Sequence, residues 1–311
     1  MITKIIGTGS YLPSKRVTNE DLSKIVDTND EWIVSRTGIK ERRVVEQESV
    51  IELATKAGRQ AIEQSGISLE EIDLILVATM SSDFALPNVA SSVQACLKAV
   101  NAIAIDMNTA CSGFIFALSV ADSYIRAGIY RTVLIIGAET LSRIVDWNDR
   151  GTCILFGDGA GAVIAKASSQ GRFEQVLYTD GSSGNCLAMK KEEKNHSFIT
   201  MNGQKVFRFA VKKVPEVIEE LLQQTKTKKE QIKYFLLHQA NKRIIHAVSE
   251  KLSVPIERFP MNLQWYGNTS AASIPILLDE MNRKNLLERG DSIILSGFGG
   301  GLTWGSILLQ W

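Results

Sequence analysis

Four runs, LILVAT (Leu74 to Thr79), VLIIGAE (Val133 to Glu139), YFLLH (Tyr234 to His238) and IILSGF (Ile293 to Phe298), are apolar almost from end to end. A strand with one wet face alternates apolar and polar residues, so unbroken runs of this kind call for cover on both faces of a sheet. Helices are the natural cover. The chain is therefore expected to be a layered α/β protein, and its 311 residues are enough to bury a substantial core.

The runs recur in a fixed order. SGISLEEIDLILVAT (Ser65 to Thr79) and TKTKKEQIKYFLLHQ (Thr225 to Gln239) share one plan of turn, short helical start and buried strand. Later in each half an apolar strand ends at glycine, as TVLIIGAE and SIILSGFGG, and a glycine-rich turn leads into another apolar strand, as LFGDGAGAVIAK and GGGLTWGSILLQW. Two copies of one α/β unit, residues 1–170 and 171–311, explain this order; the alternative is chance likeness between α/β segments. No proline- or serine-rich linker divides them. The stretch Gly181 to Ser197, with turn residues and then mixed charge, reads as an exposed loop.

Composition removes several classes of function. Hydrophobic residues make up 45%, charged residues 22% and the formal charge is +1, which argues against disorder and against a globally basic nucleic-acid binder. No run of about eighteen apolar residues marks a membrane span, and MITKIIGTGSYLP reads as a first strand and turn rather than a secretion signal. A cytoplasmic protein is expected. Cys96, Cys111, Cys153 and Cys186 are widely spaced, with no CxxC pair and three histidines, so no metal site is expected.

Cys111 lies in NTACSGF, just where an apolar helical run begins. The free N–H groups and dipole of a helix start favour an anion, which can lower a thiol pKa from about 8.5 to below neutrality. The alternative is a buried thiol that packs as a small hydrophobe. His238 follows a buried strand, where α/β proteins place functional groups; it could equally be a satisfied structural histidine. Asn241 and Asn268 (in YGNTSAASIP) each fit a helix cap or a polar group facing a cavity. His246 and His196 are expected to be structural or solvated.

Taken together, ACSGF around Cys111, HQAN at His238, YGNTSAASIP at Asn268, the ending GFGGGLTWG, TNDEWIVSRTGIKERR and DWNDRGTCILFGDGAGA resemble the β-ketoacyl-acyl-carrier-protein synthase III family of the thiolase superfamily, over nearly the whole chain. The resemblance implies a five-layered αβαβα fold of two similar halves and a homodimer, with no cofactor beyond coenzyme A thioester as substrate. It also implies that an acyl-CoA primer is transferred to Cys111, after which malonyl-acyl-carrier protein is decarboxylated and its carbanion attacks the acyl-enzyme. Neither a nucleic acid nor a membrane is an expected partner.

On the same resemblance, the backbone N–H groups of Cys111 and Gly300 form an oxyanion hole, and His238 and Asn268 hydrogen-bond the malonyl thioester oxygen. Trp32, Arg36 and Arg150 surround the adenine nucleotide, Gly203 and Asn241 face the pantetheine arm, and Phe298 fences the cavity against water. Phe84, reaching across the dimer, and Phe298 line the acyl pocket. Arg208 and Arg243 match the docking positions for an acidic carrier protein, with Lys212, Lys213 and Lys242 nearby; all could be ordinary solvated helix faces. Rivals are a superfamily member using malonyl-CoA or making a secondary metabolite, a non-catalytic carrier-binding module, and a cysteine hydrolase.

Overall fold

The structure is a computed structural model describing residues 1–189 and 197–311. Its first sheet contains β1 (Ile2–Tyr11), β2 (Leu74–Ala78), β3 (Ile103–Met107), β4 (Thr132–Glu139) and β5 (Gly159–Ser168) in the order β1-β5-β4-β2-β3. The second contains β6 (Phe173–Thr179), β7 (Tyr234–Leu237), β8 (Ser292–Gly299) and β9 (Thr303–Gln310) in the order β7-β8-β9-β6. Strand directions match: β5 is antiparallel to β1 and β4, and β4 is parallel to β2, just as β9 is antiparallel to β6 and β8, and β8 is parallel to β7. Only β3, which extends the first sheet parallel to β2, lacks a counterpart in the second sheet.

The helices repeat as well. In the first half α1 (Asp30–Thr37) is followed by α2 (Val50–Ser65), α3 (Val89–Leu97) and α4 (Gly113–Arg126); in the second come α5 (Gly203–Gln224), α6 (Lys242–Leu252) and α7 (Ser273–Arg283). Short 3₁₀ turns, Leu69–Glu71 and Lys229–Gln231, precede β2 and β7. Helices α3 and α6 both end in a left-handed residue, Lys98 at φ 61° and Ser253 at φ 52°. Before α4 and α7 stand two further left-handed residues, Ala110 at φ 48° and Ser270 at φ 50°.

The apolar runs are explained by two-sided burial. Leu74, Leu76 and Ala78 face a central core built from α4, α7 and both sheets, including Phe114, Leu118, Ile274, Leu277, Ile293 and Leu295. The alternate residues Ile75 and Val77 face α2 and α3 on the outside. Helices α5 and α6 cover the outer face of the second sheet through Val214, Ile218, Ile244 and Val248. The layers therefore run helix, sheet, helix, sheet, helix, which is a thiolase-like αβαβα fold.

One part of the sequence reading needs correction. Gly181–Cys186 is a 3₁₀ turn, and Leu187–Met189 pairs antiparallel with Ile199–Met201, so part of the expected loop is a paired strand. The physical reason is apolar content at the base: Cys186 and Ile199 are buried. His196 and the charged stretch 190–196 lie outside the described residues.

Two glycines let the halves interlock. A Cβ on Gly137 in β4 would lie 2.2 Å from the Ala271 carbonyl oxygen, ahead of α7. On Gly299 in β8 it would lie 2.7 Å from the Cys111 nitrogen, ahead of α4. Gly137→Ala is therefore expected to lose about 1–3 kcal/mol by overpacking, whereas Gly181→Ala, which meets nothing within 4 Å, should stay within about 0.5 kcal/mol of the parent; thermal unfolding of the two variants side by side checks this.

Candidate functional site

Cys111 sits in a 3₁₀ turn, Ala110–Ser112, that runs straight into α4. The turn is tied to the β8–β9 connection. Ser112 Oγ donates to the Thr109 carbonyl at 2.8 Å and lies 2.8 Å from Thr303 Oγ1, which in turn donates to the Gly300 carbonyl at 3.1 Å. The cysteine side is thereby fixed relative to the glycine-rich turn of the other half.

Asn268 is held as firmly. Its backbone N–H donates to the Leu155 carbonyl at 2.8 Å, its carbonyl accepts from Gly157 N at 3.1 Å, and its side-chain Oδ1 accepts from Ser270 N at 2.9 Å. With the oxygen engaged, the amide turns its Nδ2 donors to the cavity it lines. His238 follows β7, and its Nδ1 lies 2.7 Å from Ser273 Oγ. Ser273 Oγ also accepts from Gln239 N at 3.3 Å, so its own proton is directed to Nδ1. That assignment leaves the His238 proton on Nε2.

Cys111, His238, Asn268 and Phe298 line one cavity of about 830 Å³. Trp32, Arg36, Gly203, Asn241, Arg208 and Arg243 line it further out. The Arg36 and Arg150 guanidinium carbons lie 4.4 and 4.7 Å from the Trp32 ring centre, so both cations engage one aromatic ring. Asn241 caps α6 through Arg243 N at 2.8 Å and donates to the Arg36 carbonyl at 3.0 Å; the cap and the cavity-facing readings both hold. A second cavity of about 270 Å³ also touches Cys111, with Gly300, Met80, Phe156, Leu187, Met189 and Ile199 around it. Cys111 lines both spaces.

Burial sets the electrostatics. Cys111 is 6% exposed, and desolvation pushes its thiol up to about 12, with Ser270 pulling it down and Glu139 pushing it further up. Burial thus opposes the thiolate expected from the helix start, because the same enclosure that serves an acyl group also removes water from the anion. Desolvation alone drives His238 down to about 3. Glu139 is driven up to about 7 by burial, against hydrogen bonds led by Ser81.

Other expected residues fall into place unevenly. Phe298 packs edge-on to His238 with ring centres 5.2 Å apart, and it lines the larger cavity rather than the smaller one. Phe84 lines neither cavity and is 59% exposed. Arg150 reaches the site only through Trp32, held by a 2.9 Å bond to the Asp27 carbonyl. Lys213 is engaged with Glu216 at 2.8 Å. Sequence reasoning missed Glu139, Ser270 and Ser273; the one usable sign was a carboxylate ending an otherwise apolar strand. No group of three or more His, Cys, Asp or Glu among the described residues is placed to hold a metal ion, and no described helix is long and apolar enough to cross a membrane.

Two stacked sheets with a cysteine, a histidine and an asparagine converging beneath their central helices define a thiolase-fold condensing enzyme. The 3-oxoacyl-[acyl-carrier-protein (ACP)] synthase III family matches residues 105–198, and its C-terminal part matches residues 222–311. A β-ketoacyl-[acyl-carrier-protein] synthase III of Clostridium acetobutylicum is 51% identical, covering 99% of this chain and 98% of that relative. The crystal structure of 3-oxoacyl-[acyl-carrier-protein] synthase III from Aquifex aeolicus superposes with a TM-score of 0.95 at 48% identity, over 99% of this chain and all of that one. The counterpart from Pseudomonas aeruginosa PAO1 gives 0.95 at 36% identity, over 100% and 98%. The chain belongs to the β-ketoacyl-acyl-carrier-protein synthase III family, a family of acyltransferases.

With a pKa of about 3, His238 should remain neutral and protonated on Nε2 from about pH 8 to about pH 5, well past the ordinary histidine value. Its imidazole ¹⁵N shifts in a pH titration check this. Ser273→Ala should allow the other tautomer.

Proposed function

We propose that this protein condenses an acyl-CoA primer with malonyl-acyl-carrier protein and so initiates fatty-acid synthesis, with Cys111, His238 and Asn268 carrying the chemistry. The observation that carries the assignment of roles is the convergence of these three residues on one cavity, with Cys111 also lining a smaller one. Cys111 attacks the primer thioester and holds the acyl group, which divides one difficult condensation into two steps. Backbone N–H groups of Cys111 and Gly300 receive the developing oxyanion. Coenzyme A enters and leaves as a substrate, and no other cofactor is called for.

In the second step malonyl-acyl-carrier protein loses carbon dioxide. His238 Nε2–H and Asn268 Nδ2–H both donate to the thioester oxygen, on which negative charge grows as the enolate forms. Donors fixed in a dry cavity stabilise that charge more than they stabilise the neutral carbonyl, so they lower the barrier. The neutrality of His238 suits a donor that must not trade its proton away. The carbanion attacks the acyl carbon on Cys111, and the thiolate departs.

The paired cation contacts on Trp32 support a role for Trp32, Arg36 and Arg150 in holding the adenine nucleotide. Gly203 and Asn241, along the wall of the cavity, flank the pantetheine arm. The smaller cavity, walled by Met80, Phe156, Leu187, Met189 and Ile199, suits a short apolar acyl chain. Arg208 and Arg243, exposed at the larger cavity, are the proposed docking points for an acidic carrier protein. The edge strand β3 leaves Ile103 52% and Ile105 38% exposed, which supports a homodimer in which Phe84 reaches across to the other acyl pocket. Residues 1–170 and 171–311 are the proposed halves, and the cytoplasm the proposed location.

Cys111→Ala should abolish acyl transfer from acyl-CoA. His238→Ala and Asn268→Ala should each retain it while lowering malonyl decarboxylation by about 10²–10³-fold, as read by intact-protein mass spectrometry and carbon dioxide release. If either variant blocked acylation as fully as Cys111→Ala, the division of roles would fail. Activity with malonyl-CoA but not with malonyl-acyl-carrier protein would overturn the choice of carrier. Arg243→Glu should raise the KM for the malonyl carrier by more than it slows acylation by acyl-CoA, and should weaken the salt dependence of that KM.

A further inference from the structure

Met80 and Ile199 are two walls of the smaller cavity beside Cys111, and both are held by one stretch, residues 139–144, that does not itself line the cavity. The stretch begins where β4 outruns its neighbour. Ala78, the last residue of β2, lies opposite Gly137, so Glu139, the last residue of β4, stands beside the corner at which the chain leaves β2.

Three consecutive residues of that corner bond to a single oxygen. Glu139 Oε2 accepts from Thr79 Oγ1 at 3.3 Å, from Met80 N at 3.2 Å and from Ser81 Oγ at 2.5 Å. Thr140 adds two bonds to Ser81: its N–H donates to Ser81 Oγ at 2.8 Å and its hydroxyl to the Ser81 carbonyl at 3.2 Å. Further along, Arg143 Nη1 pairs with Asp83 Oδ1 at 2.5 Å. Ser142 ties the stretch to Asp158, ahead of β5, its N–H donating to Oδ1 at 2.8 Å and its hydroxyl to Oδ2 at 2.5 Å. The far end holds the other wall, because the Ile144 carbonyl accepts from Ile199 N at 2.9 Å.

Glu139 is fully buried and takes part in none of the ion pairs of the described residues. Burying a carboxyl group without a counter-charge is unfavourable, and an apolar residue could end a buried strand without that cost. What the carboxylate adds is an acceptor for several donors at once. Its bond to the Met80 N–H is made to main chain, so it places Met80 without occupying the cavity. Methionine is the most adaptable of the apolar side chains, and a wall made of it is only as firm as the backbone that carries it.

We propose that Glu139 is a positioning residue for primer selection: by holding Thr79, Met80 and Ser81 it makes Met80 a fixed wall of the acyl cavity and so limits the length of acyl chain that Cys111 can carry. This rests on the reading that the smaller cavity takes the acyl chain of the primer. With the corner held, a chain that is too long meets Met80 and must displace backbone that is bonded to Glu139. With the corner released, Met80 gives way and the longer chain is accepted. A carboxylate that merely ended the strand would affect how much protein folds, and would leave the choice between two primers as it was.

The test is a competition on the full-length protein. Equimolar pairs of straight-chain acyl-CoA thioesters, from acetyl to decanoyl in steps of two carbons, are mixed with it, and the adducts on Cys111 are quantified by rapid-quench mass spectrometry. The ratio of two adducts in one tube reports relative kcat/KM and is independent of how much of a variant is folded. The parent should show a fall of about 10-fold or more at one step of the series. Glu139→Leu, which removes the acceptor at similar volume, and Met80→Ala should each lessen that fall by about 10-fold; Glu139→Gln, which keeps an acceptor oxygen, should recover the parent ratio. The double variant should do no more than Met80→Ala alone, because one residue acts through the other. Ser81→Ala removes the shortest of the three bonds to Glu139; it should shift the ratio in the same direction and decides the matter if Glu139→Leu yields no folded protein. Parent ratios in both Glu139→Leu and Ser81→Ala, additive effects in the double variant, or a parent with no fall up to decanoyl would overturn the inference. A parent that none of the thioesters acylates overturns the proposed function itself, a result distinct from failure of the positioning role alone.

Discussion

Everything at this site depends on backbone meeting backbone across the two halves. The turn ahead of α4 rests on β8 at Gly299, and the turn ahead of α7 rests on β4 at Gly137. A side chain at either glycine would prise a helix start away from the opposite sheet. Because both contacts are made by main chain, which has little rotamer freedom to lose, the positions of Cys111 and Ser270 are set by the fold rather than by adaptable packing. The left-handed residues Ala110 and Ser270 are the conformational cost of turning each chain sharply enough to make this approach.

The same enclosure governs the chemistry through desolvation. Removing water raises the thiol and carboxylic acid and lowers the imidazole, so each group is shifted toward its neutral form. A neutral thiol and a neutral imidazole hold no charge that the fold would have to stabilise continuously. Charge instead arises during reaction, on a thioester oxygen or a departing sulfur, in a medium where a nearby donor has a larger effect than in water. Helix starts contribute oriented dipoles here, while burial acts on the Cys111 thiol in the opposite direction.

Much of the fold was legible in the sequence because two-sided burial writes itself as unbroken apolar runs, and a duplicated unit writes itself twice. LILVAT and YFLLH, each preceded by a short 3₁₀ turn, occupy equivalent places in the two sheets. Cys111, His238 and Asn268 were legible as residue types following strands or opening helices, and the structure brings all three to one cavity. The base of the 181–201 segment was not, because Cys186, Leu187 and Ile199 are too few and too scattered among turn residues to give a period. Ser273 was hidden for another reason: a serine near a helix start ordinarily reads as a cap, and only its tertiary contact with His238 gives it another meaning.

Duplication gives the site its asymmetry as well as its shape. The turn with Cys111 and the turn with Ala271 are equivalent in the two halves, so the second copy supplies no rival nucleophile. Freed from that role, the C-terminal turn and its surroundings present Asn268, Ser270 and Ser273 to the centre, while the N-terminal sheet presents Glu139. A single cysteine thus sits among polar groups drawn from both copies, each held by backbone or by a buried hydroxyl. Two symmetric cysteines would compete for one acyl group and leave no wall from which to aim donors at its partner. By keeping the scaffold and varying the residues at equivalent turns, the chain obtains one covalent centre and several fixed donors around it.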